Sequence, residues 1–351
     1  IHTLNTVLAE KDFQKEEKAI GYNLLGFAYL QNNDLEKGLD HIHKALSLFP
    51  SYVDAHTNLG LYFVKKENYK KAINQLKTAI SLNQDYVPAY DLLAYSYYKI
   101  KNPENALEQI VKIHRIDPNY YKAYFLAGKI HLEADSVNKA INSFTKLLKI
   151  KAIEWNKTDL EFYFKETLTL LKQLKTRHPK KIEIYDLISA IHIKLNNYDQ
   201  AVENYQNAIK TGVDYPAIHN NLAVIYLQKD KKVAAIKEYQ NAINKNPKEP
   251  IFYYNLATLY KDQEIYDNAI DIYKKTLDLD KNFYLAHLSL GDIFSTQGNN
   301  QNAILHYQQA LASKPSNAYG YLALGRVYER LDNQKSAVDN YQNFLKYSKN
   351  D

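Results

Sequence analysis

The stretch YNLLGFAYL at residues 22–30 is followed by four polar residues, QNND, and then by LEKGLDHIHKAL at residues 35–46. In the first stretch, Leu25 and Tyr29 lie four residues apart beside Gly26, which is the spacing of one helix face. Apolar residues also recur at helical spacing through the second stretch. Because the polar connection is so short, the sequence predicts two antiparallel helices joined as a hairpin.

The same hairpin pattern recurs with a spacing of 34 residues. Alanine or glycine recurs in one slot of the first helix: Gly26, Gly60, Ala94, Gly128, Ala223, Ala257, Gly291 and Gly325. A second small residue follows twelve positions later in each unit, beginning with Gly38 and Ala72. Small residues at both slots let two helix axes approach to about 8–10 Å. The spacing therefore predicts a series of tightly packed helical hairpins.

This pattern resembles the tetratricopeptide repeat (TPR) family, whose unit of 34 residues combines these small residues with aromatic residues and a closing proline. The matching units begin at residues 19, 53, 87, 121, 182, 216, 250, 284 and 318. The resemblance implies an all-α fold, a superhelical solenoid of helix-turn-helix repeats. It also implies a protein–protein interaction scaffold that binds an extended peptide or partner protein in a concave groove lined by the first helices.

The regularity of the repeat divides the chain into four predicted segments: a truncated preceding repeat or cap helix (1–18), an N-terminal block of four repeats (19–154), an irregular helical connector (155–181) and a C-terminal block of five repeats (182–351). The connector lacks the small-residue slots, and the only tryptophan, Trp155, lies at its start. Thr158 and Glu161 have the spacing of a capping box, which predicts a helix from there to about Arg177.

Composition excludes several classes of protein. The chain has no cysteine, so it has no disulfides, thiolate nucleophiles or cysteine metal ligands. No apolar run approaches the roughly 18 residues that cross a bilayer. The net charge of +6 is carried mostly by scattered lysines, with four arginines, so no nucleic-acid surface is indicated. We expect a soluble chain without membrane insertion or nucleic-acid partner, and leave open a cytoplasmic or an exported location after signal removal.

No catalytic motif is found, and the histidines follow the repeat. His56, His219 and His287 share one aromatic slot of the first helix, each without a carboxylate or second histidine at ligand spacing. Five tyrosines likewise share one slot of the second helix and are predicted to pack in the core: Tyr205, Tyr239, Tyr273, Tyr307 and Tyr341. We therefore expect no enzyme activity, no catalytic residue, no metal and no cofactor.

The TPR resemblance places a set of polar and aromatic side chains in the groove: Asn58, Asp91, Tyr95, Lys122, Lys129, Asn220, Asn221, Tyr254, Asn255, Thr258, Asp292 and Arg326. Asn58, Asn221 and Asn255 occupy the same slot, and an amide can donate to and accept from a peptide backbone at once. The alternative is that single asparagines in this slot are common in TPR repeats and have no binding role.

A second reading of the function stays open. The chain would then be the partner- or substrate-recruiting TPR region of a larger enzyme, such as a glycosyltransferase, whose catalytic domain is absent here. At the other end, no polar capping helix follows the ninth repeat. We therefore expect either that the chain is cut from a longer one, or that the last helix, with Phe344 and Tyr347, docks on a partner or forms a dimer.

Overall fold

The computed structural model describes residues 14–151 and 157–348, and these contain nineteen α-helices and no strands. The predicted all-α repeat fold is confirmed. The chain divides into two compact units, Ile1–Leu174 and Lys175–Asp351, called unit 1 and unit 2 below. No helix in the described part of the chain is long and apolar enough to span a membrane.

Unit 1 contains four helix pairs, in each of which the second helix packs against the first. The pairs are α1 (Lys15–Gln31) with α2 (Leu35–Leu48), α3 (Val53–Lys65) with α4 (Tyr69–Leu82), α5 (Val87–Lys99) with α6 (Pro103–Ile116), and α7 (Tyr121–Glu133) with α8 (Val137–Lys149). The long helix α9 (Lys157–Arg177) follows, and its last residues belong to unit 2.

Unit 2 contains five further pairs of the same kind. They are α10 (Ile182–Lys194) with α11 (Tyr198–Lys210), α12 (Pro216–Gln228) with α13 (Lys232–Lys245), α14 (Pro250–Asp262) with α15 (Tyr266–Leu279), α16 (Tyr284–Thr296) with α17 (Asn300–Ser313), and α18 (Ala318–Arg330) with α19 (Gln334–Tyr347).

The first helices begin where the sequence repeat begins, with small differences at two places. Eight of them start at the first residue of a predicted unit, whereas α1 starts four residues before residue 19. Helix α9 ends at Arg177 as expected but starts at Lys157, so Thr158 lies within its first turn and is not the residue that precedes it. Residues 1–13 of the predicted N-terminal helix, and Trp155, lie outside the described residues.

The small-residue slot lies where the two helices of a repeat cross. A Cβ atom added to Gly26 would lie 2.6 Å from Cγ1 of Ile42, sixteen residues later on the second helix. The same construction at Gly128 gives 2.2 Å to Cε1 of Phe144. Carbon atoms do not approach this closely, so a Cβ atom at either position would require the Ile42 or Phe144 side chain to shift.

Each connection between the two helices of a repeat uses one residue in the left-handed region. In the first repeat this residue is Asn33, with a φ of 61°. The next amide, of Asp34, donates to the carbonyl of Tyr29 at 2.9 Å, which closes the end of α1. The Asp34 carboxylate then accepts from the amide of Lys37 and caps α2. One residue thus ends the first helix and the next starts the second.

The tyrosine slot of the second helices lies in the core of unit 2, as predicted. Tyr273 is fully buried, and Tyr205, Tyr239 and Tyr307 are each at most 3% exposed. Tyr341, on the last helix, is only partly buried. The tyrosines therefore serve packing in this slot, and the stretch YQNA, which recurs at residues 205–208 and 239–242, is structural.

We predict that Gly128→Ala destabilises unit 1, because the added methyl group collides with the fully buried ring of Phe144. The loss should be about 1–3 kcal/mol in the free energy of unfolding, measured by urea denaturation. The double variant Gly128→Ala with Phe144→Ile reproduces the Ala94 and Ile110 pair of the preceding repeat and should recover part of that loss. A single variant as stable as the parent would contradict the tight crossing.

Candidate protein-binding groove

The first helices of neighbouring repeats contact one another directly. In unit 1, α3 contacts α1 and α5, and α5 contacts α7; in unit 2, α16 contacts α14 and α18. We call the solvent-facing side of these helices the inner face, which carries Asn58, Tyr95 and Lys129 in unit 1 and Asn255 and Asp292 in unit 2. Side chains from successive repeats meet on this face, so it is the place where one ligand can touch several repeats.

The asparagines of the inner faces bond to one another between repeats. Nδ2 of Asn58 donates to Oδ1 of Asn23 at 2.8 Å, and Nδ2 of Asn255 donates to Oδ1 of Asn220 at the same distance. The partners are 35 residues apart in both pairs. The amides predicted to hold a peptide backbone are therefore partly used to join neighbouring first helices.

Asn221 has the same kind of partner in the preceding repeat. Its Nδ2 lies 3.4 Å from Oδ1 of Asp186 and 3.1 Å from the hydroxyl of Tyr205. Tyr205 also donates to Asp186 at 2.8 Å. Burial raises the pKa of Asp186, against the hydrogen bonds from Tyr205 and Asn221, which favour the ionised form. This triad links both helices of one repeat to the next repeat.

Two predicted residues of unit 1, Asp91 and Lys122, lie in a polar cluster with α9. The Tyr120 hydroxyl donates to Asp91 at 2.9 Å, and Lys122 lies 3.1 Å from Oδ2 of Asp159. Tyr121 donates to the same carboxylate at 2.7 Å. Burial raises the pKa of Asp91; burial also opposes ionisation of Asp159, but its bonds from Tyr121 and Lys122 prevail and lower its pKa. The sequence offered no sign of the Asp159 contact.

Tyr95 and Lys129 meet in a second cluster, which we call the Tyr95 cluster: Tyr95, Tyr98, Lys99 and Lys129. The Tyr95 side chain is 38% exposed, and its ring centroid lies 6.4 Å from that of Tyr98. Nζ of Lys99 lies 5.8 Å from the Tyr95 ring, and Nζ of Lys129 lies 5.6 Å from the Tyr98 ring. Each ammonium group thus lies over an aromatic face.

Carboxylates take little part in the Tyr95 cluster. Glu133 accepts from the Tyr98 hydroxyl and pairs with Lys101 at 3.4 Å. Within residues 14–151 and 157–348, no carboxylate lies within 4.0 Å of Nζ of Lys99 or Lys129. The cluster therefore presents positive charge beside an exposed ring.

Two of the remaining predicted residues of unit 2, Thr258 and Asp292, have hydroxyl contacts. Thr258 donates to the carbonyl of Tyr254 at 2.9 Å and lies 3.0 Å from the hydroxyl of the buried Tyr273. Oδ1 of Asp292 accepts from Tyr307 and from Tyr319, each at 2.8 Å. Arg326 is exposed on the neighbouring first helix. The inner face of unit 2 is thus richer in amides and hydroxyls than that of unit 1.

Two of the repeat histidines have no carboxylate or second histidine at ligand spacing on their own helix, but they contact such groups from other segments. Nδ1 of His219 lies 2.6 Å from Oε2 of Glu238, and its Nε2 lies 2.8 Å from Oδ1 of Asp214. Nδ1 of His287 lies 3.0 Å from Nδ1 of His306. The partners on the second helix are nineteen residues away, a separation that inspection of single helix turns does not detect. In the described residues, no three such side chains are grouped to hold a metal ion.

The two histidine sites have opposite preferences for the proton. The hydrogen bond to Glu238 raises the pKa of His219 against the effect of burial, with help from Asp214. Burial and the neighbouring His287 lower the pKa of His306 to about 4. His219 is therefore stabilised as a cation, and the His287–His306 pair as neutral rings.

Family models for the tetratricopeptide repeat match five segments of the chain. A TPR repeat model matches residues 191–230 and 291–332, and two tetratricopeptide repeat models match residues 23–87, and residues 121–154 and 251–283. The chain belongs to the tetratricopeptide repeat family. Its TPR repeats support a general role as a protein-interaction scaffold, and proteins built from such repeats are generally non-catalytic.

Among solved structures, the TPR chain is similar to two crystal structures of MamA and to yeast Tom70. The MamA structures are 20% identical, with TM-scores of 0.43 and 0.42; they cover 46% and 47% of this chain and 95% and 91% of their own. Tom70 is 13% identical, with a TM-score of 0.45, and the match covers 95% of this chain and 93% of that one. No curated protein matches the chain.

We predict that Asn255→Ala lowers the free energy of unfolding by about 1 kcal/mol, because it removes the amide that joins α14 to Asn220 of α12. Asn207→Ala, at an exposed position of α11, is the matched control and should leave stability unchanged. Urea denaturation of both variants provides the measurement. Equal stability of Asn255→Ala and the control would show that the bond between repeats contributes nothing.

We predict that the stability of unit 2 depends on pH through His219. Because its folded pKa is raised, its contribution is complete below about pH 6.5, the ordinary histidine pKa, and is lost as the pH rises through the folded value. His219→Gln should remove this loss, whereas His43→Gln, at an exposed position, should retain it. Urea midpoints from pH 6 to 9 measure the difference; a His219→Gln curve parallel to that of the parent would refute the assignment.

Proposed function

We propose that the chain is a non-catalytic scaffold that binds an extended segment of a partner protein along the inner face of unit 1, and that this segment carries acidic and apolar side chains. The observation that carries this proposal is the Tyr95 cluster, in which Lys99 lies over the exposed Tyr95 ring and Lys129 over the neighbouring Tyr98 ring. Among the described residues, neither lysine has a carboxylate within 4.0 Å. An acidic side chain placed there gains both charge pairing and contact with the ring.

The apolar part of the proposed ligand is suggested by the first repeat. On the inner face of α1, the side chains of Leu24 and Phe27 are 50% and 41% exposed. Helices α1, α3 and α5 contact one another in order, so these side chains and Tyr95 lie along one face. With first helices about 8–10 Å apart, an extended chain advances by roughly three residues per repeat. A segment of about ten residues would reach all four first helices.

The charge preference follows from how the acidic groups of this face are already bound. Asp91 accepts from Tyr120, Asp159 pairs with Lys122, and Glu133 accepts from Tyr98. The lysines of the Tyr95 cluster have aromatic neighbours instead. The ammonium groups of these lysines are therefore the charges that a ligand can still neutralise. Because the face is preformed, it binds an extended segment at low entropic cost.

We propose a different ligand preference for unit 2. Asn220, Asn221, Asn255 and Thr258 keep further hydrogen-bonding capacity beyond their bonds between repeats, and this suits a peptide backbone more than charged side chains. Docking of a partner or a second copy through α19 also stays a proposal; Val338 and Leu345 on that helix are 51% and 59% exposed.

The proposal for unit 1 can be tested with labelled ten-residue peptides that alternate leucine with glutamate, glutamine or lysine. The full chain should bind the glutamate peptide most tightly in fluorescence anisotropy, and binding should weaken with salt. Lys129→Glu should reduce that affinity about tenfold or more, because it reverses one of the two free charges. Tyr95→Ala should reduce it while lowering the melting temperature less than truncation of a buried tyrosine such as Tyr90 would, since Tyr95 is 38% exposed.

Lys149→Glu is the matched control, because it makes the same charge reversal at an exposed position on a second helix, α8, of the same unit. It should bind the glutamate peptide nearly as well as the parent. If Lys129→Glu and Lys149→Glu bind alike, or if the lysine peptide binds best, the proposed acidic ligand is wrong.

A further inference from the structure

Unit 1 has a groove on its second-helix side, away from the inner face. It lies between α6 and α8, over α7, and has a volume of about 390 Å³. Leu107, Ile110 and Val111 of α6 and Ala127 of α7 form its apolar lining. Val111 is 51% exposed, so this lining is open to a ligand from solvent.

Four basic side chains line the same groove. His114 comes from α6, His131 from α7, and Lys139 and Lys146 from α8. Among the described residues that line the groove, none is aspartate or glutamate. Neither lysine has a carboxylate within 4.0 Å in the described part of the chain.

The preceding repeat contains the equivalent groove, built from residues 34 positions earlier, and it differs in charge. Its volume is about 280 Å³, and it is lined by Glu108 and Lys112, which pair at 2.9 Å. These two residues correspond to Asn142 and Lys146. At the positions of His114, His131 and Lys139 it has Ile80, Tyr97 and Asn105. At the position of Val111 it has Lys77, so each groove is lined by two lysines. The groove between α6 and α8 differs in having two histidines and in lacking the acid that would neutralise its lysines.

The surroundings of the histidines agree with this excess of positive charge. Burial and Lys146 lower the pKa of His114, which Asp117 offsets only in part, and burial and Lys139 lower the pKa of His131. Nε2 of His114 is buried and makes no hydrogen bond to any described residue. The His114 ring stacks on Tyr124 with 3.9 Å between centroids, and Nζ of Lys146 lies 6.0 Å from the same Tyr124 ring.

We propose that the groove between α6 and α8 binds a small organic anion, with its carboxylate or phosphate oxygens toward Lys139, Lys146 and the two histidines and its apolar part against Ile110 and Val111. The anion supplies the negative charge that Glu108 supplies in the preceding repeat. The lining of the groove favours an apolar body over a bare ion, since Leu107, Ile110 and Val111 contribute aliphatic groups beside the basic ones. This site is separate from the inner face and does not depend on peptide binding there.

Benzoate, phenyl phosphate and inorganic phosphate serve as probes, each titrated into the full chain. The imidazole resonances of His114 and His131, assigned by comparison with His114→Gln and His131→Gln, report the measured pKa of each ring. Benzoate or phenyl phosphate should raise both values saturably, by about one pKa unit, because a bound anion favours the imidazolium form. Whichever of these two probes binds with the higher affinity shows whether the groove prefers a carboxylate or a phosphate. Inorganic phosphate should act only at higher concentration, because it lacks the apolar body.

Asn142→Glu restores the acid of the preceding repeat at an exposed position and should reduce probe affinity at least tenfold. Asn74→Glu is the matched control, since it adds the same charge at the equivalent exposed position of α4 and should leave binding unchanged. If Asn142→Glu does not fold, Lys146→Gln, which is also at an exposed position, replaces it and should weaken binding. The proposal is overturned if neither organic probe shifts the histidines, if Asn142→Glu binds as the parent does, or if inorganic phosphate matches the organic probes.

Discussion

The contact between a small residue of the first helix and a large residue sixteen positions later on the second determines the geometry of these repeats. Gly128 against Phe144 and Gly291 against Tyr307 leave no space for even a methyl group. Such a crossing fixes the distance between the two helices, and the short turn fixes their direction. The other slots of the hairpin then lie at the same place in every repeat. A side chain in a given slot therefore faces the same neighbouring slots in each repeat.

Since packing occupies the same slots throughout, the individual character of a repeat comes from the remaining ones. The grooves beside Lys112 and Lys146 have the same backbone arrangement, yet one contains an ion pair, whereas the other contains two histidines and two lysines with no carboxylate within 4.0 Å among the described residues. The inner faces differ in the same way, with lysines and rings in unit 1 and amides and hydroxyls in unit 2. In a repeat protein, comparison between repeats therefore separates structural residues from candidates for binding.

The sequence alone predicts the hairpins well, because the small-residue slot and its spacing are local features. Helices α3, α5 and α7 start at Val53, Val87 and Tyr121, the first residues of predicted units. It predicts the surroundings of the inner-face residues poorly. Asn58 and Asn255 bond to residues 35 positions earlier, because neighbouring first helices are offset by one position. The slot of an asparagine follows from periodicity, whereas its bonding partner depends on that offset.

The histidines show the same limit for contacts inside one repeat. His219 and His287 look isolated on their own helix, but each faces a side chain nineteen residues later on the second helix: Glu238 in one repeat and His306 in the other. Antiparallel packing brings these positions together, so the pairing could have been predicted only by assuming the hairpin geometry first. With that geometry known, one slot produces a stabilised cation in one repeat and a neutral pair in another, because the second helix supplies Glu238 in the first and His306 in the second, and Asp214 adds another carboxylate beside His219.

The abundance of tyrosine, 32 residues, connects the core to the charge of the inner faces. Tyr307 buries its ring in the core, and its hydroxyl reaches the edge and donates to Asp292; Tyr205 does the same with Asp186. The hydrogen bond that satisfies each buried hydroxyl therefore also uses one carboxylate of the inner face. In unit 1 the acidic groups are bound to tyrosines and to Lys122, while Lys99 and Lys129 lie over rings that neutralise no charge. Because these hydrogen bonds occupy the acidic groups, the lysines are the charged groups of this face that a partner can pair with.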